Sequence, residues 1–281
     1  MDYNKLKHIV YTPDVKETDF INSSILNGIN CIEILDARSA VYTATGISAQ
    51  TKELVVVCLR ASNSSRSAFS GMTEAFYRKL PVILVTYGTE LDYSVELADV
   101  IRSHFVVSYD NQIFDFLDKP LPMHLEVQLP TKQLVQKDCI KIQKVLKTVL
   151  TDDVYLYLGQ GIDKQEISYN CKVVEGGMSN CYEGSIANVL GASLAKKHRR
   201  YIGLISEEEF THDMNTLGNI NVNDSLMFIV AIDEMNLTLE NYAESLGFRV
   251  FSEHSNIVEE SFIKNLVDSN NKTVLFVLKE D

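Results

Sequence analysis

The sequence predicts an α/β protein of two domains, and three observations carry that prediction. Short continuous apolar runs at 53–59, 81–86, 154–158, 226–232 and 273–278 have the length of strands covered on both faces. Between them lie stretches whose apolar residues recur at three- and four-residue steps, the period of a helix with one buried side. The chain is 281 residues long, which leaves room for two cores of ordinary size.

The elements follow in order. Residues 8–13 read as the first strand, 20–26 as a helix stopped near Gly28, and 32–35 as a short strand. Leu35, Ala37, Ala40, Val41 and Ala44 then share one helical face, with Asp36 at the start, where a carboxylate suits the unpaired N–H groups. The strand at 53–59 runs into a polar loop, Arg60 to Arg66. A small-residue helix through Gly71, Glu74 and Ala75 and a strand at 81–86 come next. A helix at 91–100, a strand at 104–108 and a proline-flanked strand at 120–130 complete the first half.

The second half repeats the alternation. A helix is expected at 137–146 and strands at 154–158 and 200–205, with a glycine-led stretch at 176–195 between these two strands. Beyond them come the strand at 226–232, a helix at 239–246 ended by Gly247, a strand at 249–251, a helix at 259–267 and the strand at 273–278. No internal repeat or low-complexity tract stands out.

Composition excludes several function classes. The net charge of −12 argues against nucleic acid and anionic membrane as partners. Hydrophobic residues make up 46% and mean hydropathy is −0.02, yet no run of about 18 apolar residues occurs, so no membrane span is expected. The first residues lack the apolar core of a signal peptide. Five widely spaced cysteines without a Cys-x-x-Cys pair fit a reducing cytoplasm. No Gly-x-Ser-x-Gly elbow is present, and the six histidines lack metal-ligand spacing, which weakens a hydrolase reading.

Certain motifs point further. Asp36-Ala37-Arg38-Ser39-Ala40 opens the first long helix, Pro122-Met123-His124-Leu125 lies in the strand at 120–130, and Ser206-Glu207-Glu208-Glu209 leads into His212-Asp213-Met214-Asn215-Thr216-Leu217. On these residues the chain resembles the thiamine-diphosphate (ThDP) enzymes, most closely the SEPHCHC synthases and the short two-domain phosphonopyruvate and sulfopyruvate decarboxylases. The resemblance implies two ThDP-binding-fold domains, pyrimidine-type then diphosphate-type, each a mainly parallel sheet flanked by helices. Their expected bounds are 1–131 and 151–281, joined by a linker helix at 132–150 with no middle domain. It also implies a homodimer, or a tetramer, in which the two domain types meet across subunits. His124 takes a structural strand position.

The cofactor positions depart from the family pattern. The family's helix reads Asp-Glu-Arg-Ser-Ala, and its Glu activates the cofactor; Ala37 stands there instead. Asp36 is a poor substitute, because a shift of one residue turns a helical side chain by about 100°. Pro13-Asp14-Val15-Lys16 replaces a Pro-Gly-Ser-Arg loop. The Asp that holds Mg²⁺ is Glu207 here, and the Asn one strand further on is Asp233.

Glu207 and Asp233 read two ways. They offer hard oxygen ligands to Mg²⁺, or Glu207 is one acid of a first helical turn behind a Ser206–Glu209 capping box. A diphosphate wants N–H donors and positive charge at that place. Three acids in one turn oppose it, since like charges about 4 Å apart cost about 1 kcal/mol in water and about 4 at an effective dielectric of 20.

Two function hypotheses follow. One is a non-catalytic or repurposed ThDP-fold protein that binds another ligand or a partner. Its Arg60–Arg66 loop is then either a small-anion site or a solvated loop. The other is a ThDP- and Mg²⁺-dependent lyase acting on a 2-oxo acid, with the activating carboxylate absent or supplied by a partner chain. Ser206, Glu207, Gly177, Ser62 and Asn63 are the cofactor-binding candidates, and Glu207 and Asp233 are the metal candidates. No catalytic residue is assigned.

Overall fold

Val55, Val57 and Leu59 belong to one apolar cluster and Val56 and Cys58 to another, and all five are fully buried. A strand covered on both faces in this way is the signature of a parallel sheet between helical layers. A computed structural model describes residues 5–60, 66–88, 97–128, 136–176 and 182–278. The chain divides into two compact units, Met1–Gln133 and Leu134–Asp281.

The first unit holds β1 (His8–Tyr11), α1 (Asp19–Leu26), β2 (Asn30–Glu33), α2 (Ala37–Thr51), β3 (Val55–Arg60), α3 (Phe69–Arg78), β4 (Val82–Tyr87), β5 (Ser103–Val107) and β6 (Met123–Val127). Its sheet has the order β2-β1-β3-β4-β6-β5, with every pairing parallel. Phe20 and Ile21 of α1 and Ile113 of a 3-10 turn at Asp110–Phe116 fill one face. Ala40, Val41 and Ala44 of α2 pack with Met72 and Ala75 of α3 on the other. Asp36 caps α2, its carboxylate accepting from Ser39 N at 2.9 Å, and Lys52 in the left-handed region (φ 61°) ends the helix.

The second unit holds α4 (Ile140–Val149), β7 (Val154–Leu158), β8 (Lys172–Glu175), α5 (Ser185–Leu194), β9 (Arg200–Ser206), α6 (Glu207–Asp213), β10 (Leu226–Ile232), α7 (Leu237–Ser245), β11 (Arg249–His254), α8 (Glu260–Asp268) and β12 (Thr273–Leu278). Its six strands are again all parallel, in the order β11-β12-β10-β9-β7-β8. Counted from the first strand of each unit, both sheets run 2-1-3-4-6-5. The helix expected as a linker, α4, packs Ile142 and Leu146 into the same core as Val154 and Leu156 of β7.

The α/β reading with two mainly parallel sheets and no middle domain describes what is observed, and the ends of the elements shift by a few residues. The strand β8 has no counterpart in the sequence reading. It is an edge strand with only two half-buried valines, so it lacks the continuous apolar run that marks the inner strands. The helix expected at 91–100 lies mostly outside the described residues, and its described end is a 3-10 turn at Ala98–Val100.

Buried polar groups mark both units. Arg200, at the start of β9, is 1% exposed. Its Nη1 donates to the carbonyls of Asp224 and Asn271, and its Nη2 to Leu266 O and Thr273 Oγ1. Burial holds its pKa down at about 10. In the first unit His124 bridges Thr86 Oγ1 at 2.9 Å and His104 Nδ1 at 3.1 Å from the middle of β6. Its place in a strand core is the one expected of a packed residue.

Candidate functional site

In the second unit the first and third strands, β7 and β9, lie side by side while their neighbours run outward in opposite directions. Sheets of this kind form a crevice at such a switch point, beyond the carboxyl ends of the strands. β7 ends in Gly159-Gln160-Gly161, and β9 ends in Ser206, the N-cap of α6.

The capping box of α6 is present: Glu209 N donates to Ser206 Oγ at 3.3 Å, and Ser206 N donates to Glu209 Oε2 at 3.0 Å. The Glu209 carboxylate does more than close this box. Its Oε1 accepts from Gln160 N at 2.9 Å and from Ser185 Oγ at 2.6 Å, and its Oε2 accepts from Gly161 N at 3.1 Å. Four donors from three separate segments therefore converge on one fully buried carboxylate. Burial pushes the Glu209 pKa up; the hydrogen bonds pull it down without cancelling the rise.

Both glycines are required by this packing. A Cβ on Gly159 would sit 2.6 Å from Glu209 Oε1, and one on Gly161 would sit 2.6 Å from Ser206 Cβ. Beside them Tyr157 OH lies 3.5 Å from Ser185 Oγ and continues the polar chain.

A cation stands next to this crevice. Lys137 is held by its backbone, its N donating to Gly161 O at 2.7 Å and its O accepting from Asp163 N at 2.9 Å. Its Nζ donates to Asp233 Oδ2 and lies 3.3 Å from Glu208 Oε1. Burial lowers the Lys137 pKa, but the Asp233 hydrogen bond and the Glu208 charge outweigh it, and the net shift is upward. The group is a buried ammonium that neutralises two acids.

The predicted site residues fall as follows. Ser206 is buried at the crevice as the cap. Glu207 Oε1 accepts from Asn236 Nδ2 at 3.2 Å, and Asp233 is ion-paired to Lys137. Ala37 is buried at the start of α2 beside the capping Asp36. Ser62, Asn63 and Gly177 lie outside the described residues, as does most of the Arg60–Arg66 loop. Among the described residues no group of three or more His, Cys, Asp or Glu is arranged to hold a metal ion.

Four participants escaped the sequence reading: Gln160, Gly161, Ser185 and Lys137. The first two carried a signal, since Gly159-Gln160-Gly161 directly follows a buried strand, and paired glycines there allow close backbone approach. Ser185 and Lys137 carried none, because a lone serine at a helix start and a lone lysine before a helix are common everywhere.

Among the described residues no helix is long and apolar enough to cross a membrane. Cys31, Cys58, Cys139 and Cys171 are unpaired. No curated protein matches the chain. Residues 1–109 match the family model described as thiamine pyrophosphate enzyme, N-terminal TPP binding domain. That match spans most of the first unit, Met1–Gln133, and makes this part of the chain similar to the N-terminal domain of thiamine-diphosphate-dependent enzymes.

Proposed function

We propose that this chain is a ThDP-fold protein without ThDP chemistry, repurposed to bind another ligand or a protein partner. One observation carries the reading: the Glu209 carboxylate fills the switch-point crevice of the second unit and engages the N–H groups of Gln160, Gly161 and Ser206. A diphosphate needs such donors for itself. Here they already serve an anion that belongs to the chain.

The metal side points the same way. Asp233, one of the two residues at the family's ligand positions, is engaged by the Lys137 ammonium, and Glu207 by Asn236. Mg²⁺ would have to displace a buried, ion-paired cation, and it dehydrates reluctantly even for well-formed carboxylate sites. We therefore read the residues present as unfit for a Mg²⁺–diphosphate pair. Ala37, in the position of the activating Glu, agrees with that reading. The homodimer implied by the family resemblance is retained as part of this proposal.

The test is a calorimetric titration of the purified protein with ThDP and Mg²⁺, repeated with Glu207→Ala. The expected result is no heat of binding at millimolar cofactor while the protein stays folded. Micromolar binding that disappears in Glu207→Ala would overturn it. The chain would then be a ThDP-dependent lyase with Glu207 and Asp233 on the metal, and 2-oxo acids would be the substrates to screen.

A further inference from the structure

We propose that the crevice between β7 and β9 is a complete receptor for a small carboxylate, kept closed by Glu209, and that removing this side chain opens it to formate or acetate. The inference rests on the reading above that this position is filled from within the chain. It adds the chemical class the site accepts.

The donors do not come from one helix terminus. Gln160 N and Gly161 N belong to the loop after β7, Ser185 Oγ to α5, and only Ser206 N to the cap of α6. Two donors point at each carboxylate oxygen, at 2.6–2.9 Å for Oε1 and 3.0–3.1 Å for Oε2, so the set matches a planar group with two equivalent oxygens. Ordered backbone holds three of the four. Gln160 and Gly161 follow one residue after β7, and Lys137 N donates to Gly161 O. Truncation of Glu209 would therefore leave the donors in place around an emptied volume.

Buried donors deprived of their acceptor are costly, so an anion that restores the acceptor is bound. The size of the opening selects the ligand. Glu209→Ala removes Cγ and the carboxylate group, so the volume released is about that of a carboxylate with one or two carbons. Gly159 bounds it closely, since a Cβ there would lie within 2.7 Å of three Glu209 carboxylate atoms. Formate and acetate fit it and a diphosphate does not.

The experiment compares Glu209→Ala with the unaltered protein in thermal unfolding, with 100 mM sodium formate against sodium chloride of equal ionic strength. Formate is expected to raise the Tm of Glu209→Ala by about 3–5 °C beyond chloride, as a ligand at roughly ten times its Kd would. The unaltered protein, whose crevice is filled, is expected to respond equally to both salts. Equal responses of Glu209→Ala to formate and chloride would overturn the proposal. If Glu209→Ala does not fold alone, its refolding from urea is followed in the two salts, and equal yields would overturn the proposal in the same way. Because no ThDP is used, this outcome is independent of the cofactor titration.

Discussion

The two units share one strand order but end their first strands differently. In the second unit β7 passes into Gly159-Gln160-Gly161, where Gly159 N still donates to Leu204 O of β9 while Gln160 N and Gly161 N donate to Glu209. In the first unit β1 passes into Thr12-Pro13-Asp14-Val15, which closes on itself. Thr12 N donates to Cys58 O at 3.1 Å, Val15 N donates to Thr12 O at 3.1 Å, and Pro13 has no N–H to offer. The topology thus provides a crevice in both units, and the two or three residues after the first strand decide whether it has donors. Two of the four donors to Glu209 are a property of that loop rather than of the sheet.

The sharpest way to break this comparison is to alter the acceptor in each unit. Glu209→Gln keeps the volume but turns an amide N–H₂ toward backbone donors, so at least one buried donor loses its partner. The expected cost is about 3–5 kcal/mol, the range for breaking a buried charge-assisted network. Asp14→Asn alters the matching loop of the first unit, where an exposed Asp14 accepts from Thr12 Oγ1. It is expected to cost about 0.5 kcal/mol or less. Urea denaturation of both variants measures the difference. Similar losses would mean that the two loops carry equal weight.

The sequence announced the sheets more readily than the site, for a physical reason. Inner strands such as Leu226–Ile232 are covered on both faces, so their whole length is apolar and their ends are sharp. The edge strand Lys172–Glu175 faces solvent and leaves only two valines to read. The Ser206–Glu209 box was also legible, because its two partners are three residues apart on one helix. What the box omits is Gln160, Gly161 and Ser185, which join Glu209 from 49, 48 and 24 residues away. Contacts across such separations depend on strand order, and no local pattern encodes them.

A second contrast concerns charge in the interior. The second unit buries the Glu209 carboxylate among four donors, whereas the first unit buries a histidine, His124, in the middle of a strand. Burial, reinforced by the neighbouring His104, holds the His124 pKa down at about 3. An unfolded histidine titrates near about 6.5. As pH falls below that value the unfolded chain takes up a proton that folded His124 refuses until about pH 3. Stability is therefore lost between these limits, with a limiting slope of about 1.4 kcal/mol per pH unit. Burial lowers His104 too, which adds in the same direction. Glu126, with neither carboxyl oxygen hydrogen-bonded and its pKa raised by burial, has the opposite sign and gains stability as pH falls. His124→Asn is expected to flatten the stability profile between about pH 6 and 4, read by urea midpoints across that range. An unchanged slope would place the titrating group elsewhere.

A smaller effect than that of Glu209 separates two neighbouring positions in the first unit. In the proposed reading Ala37 stands where the family resemblance puts an activating acid, and Asp36 is the acid one residue earlier. The carboxylate of Asp36 faces Ser39 N, at 2.9 Å, and caps α2, so it already has a structural partner. If capping is its whole role, Asp36→Ala costs about 1 kcal/mol, and Asp36→Ser, which can cap as well, costs only a few tenths. Thermal unfolding of the two variants reads that difference directly. A rescue by serine assigns Asp36 to the helix end, because a hydroxyl can accept from Ser39 N but cannot serve as an ionised acid. Equal losses for alanine and serine would instead show that the negative charge itself is needed there, which would return Asp36 to consideration as a functional acid.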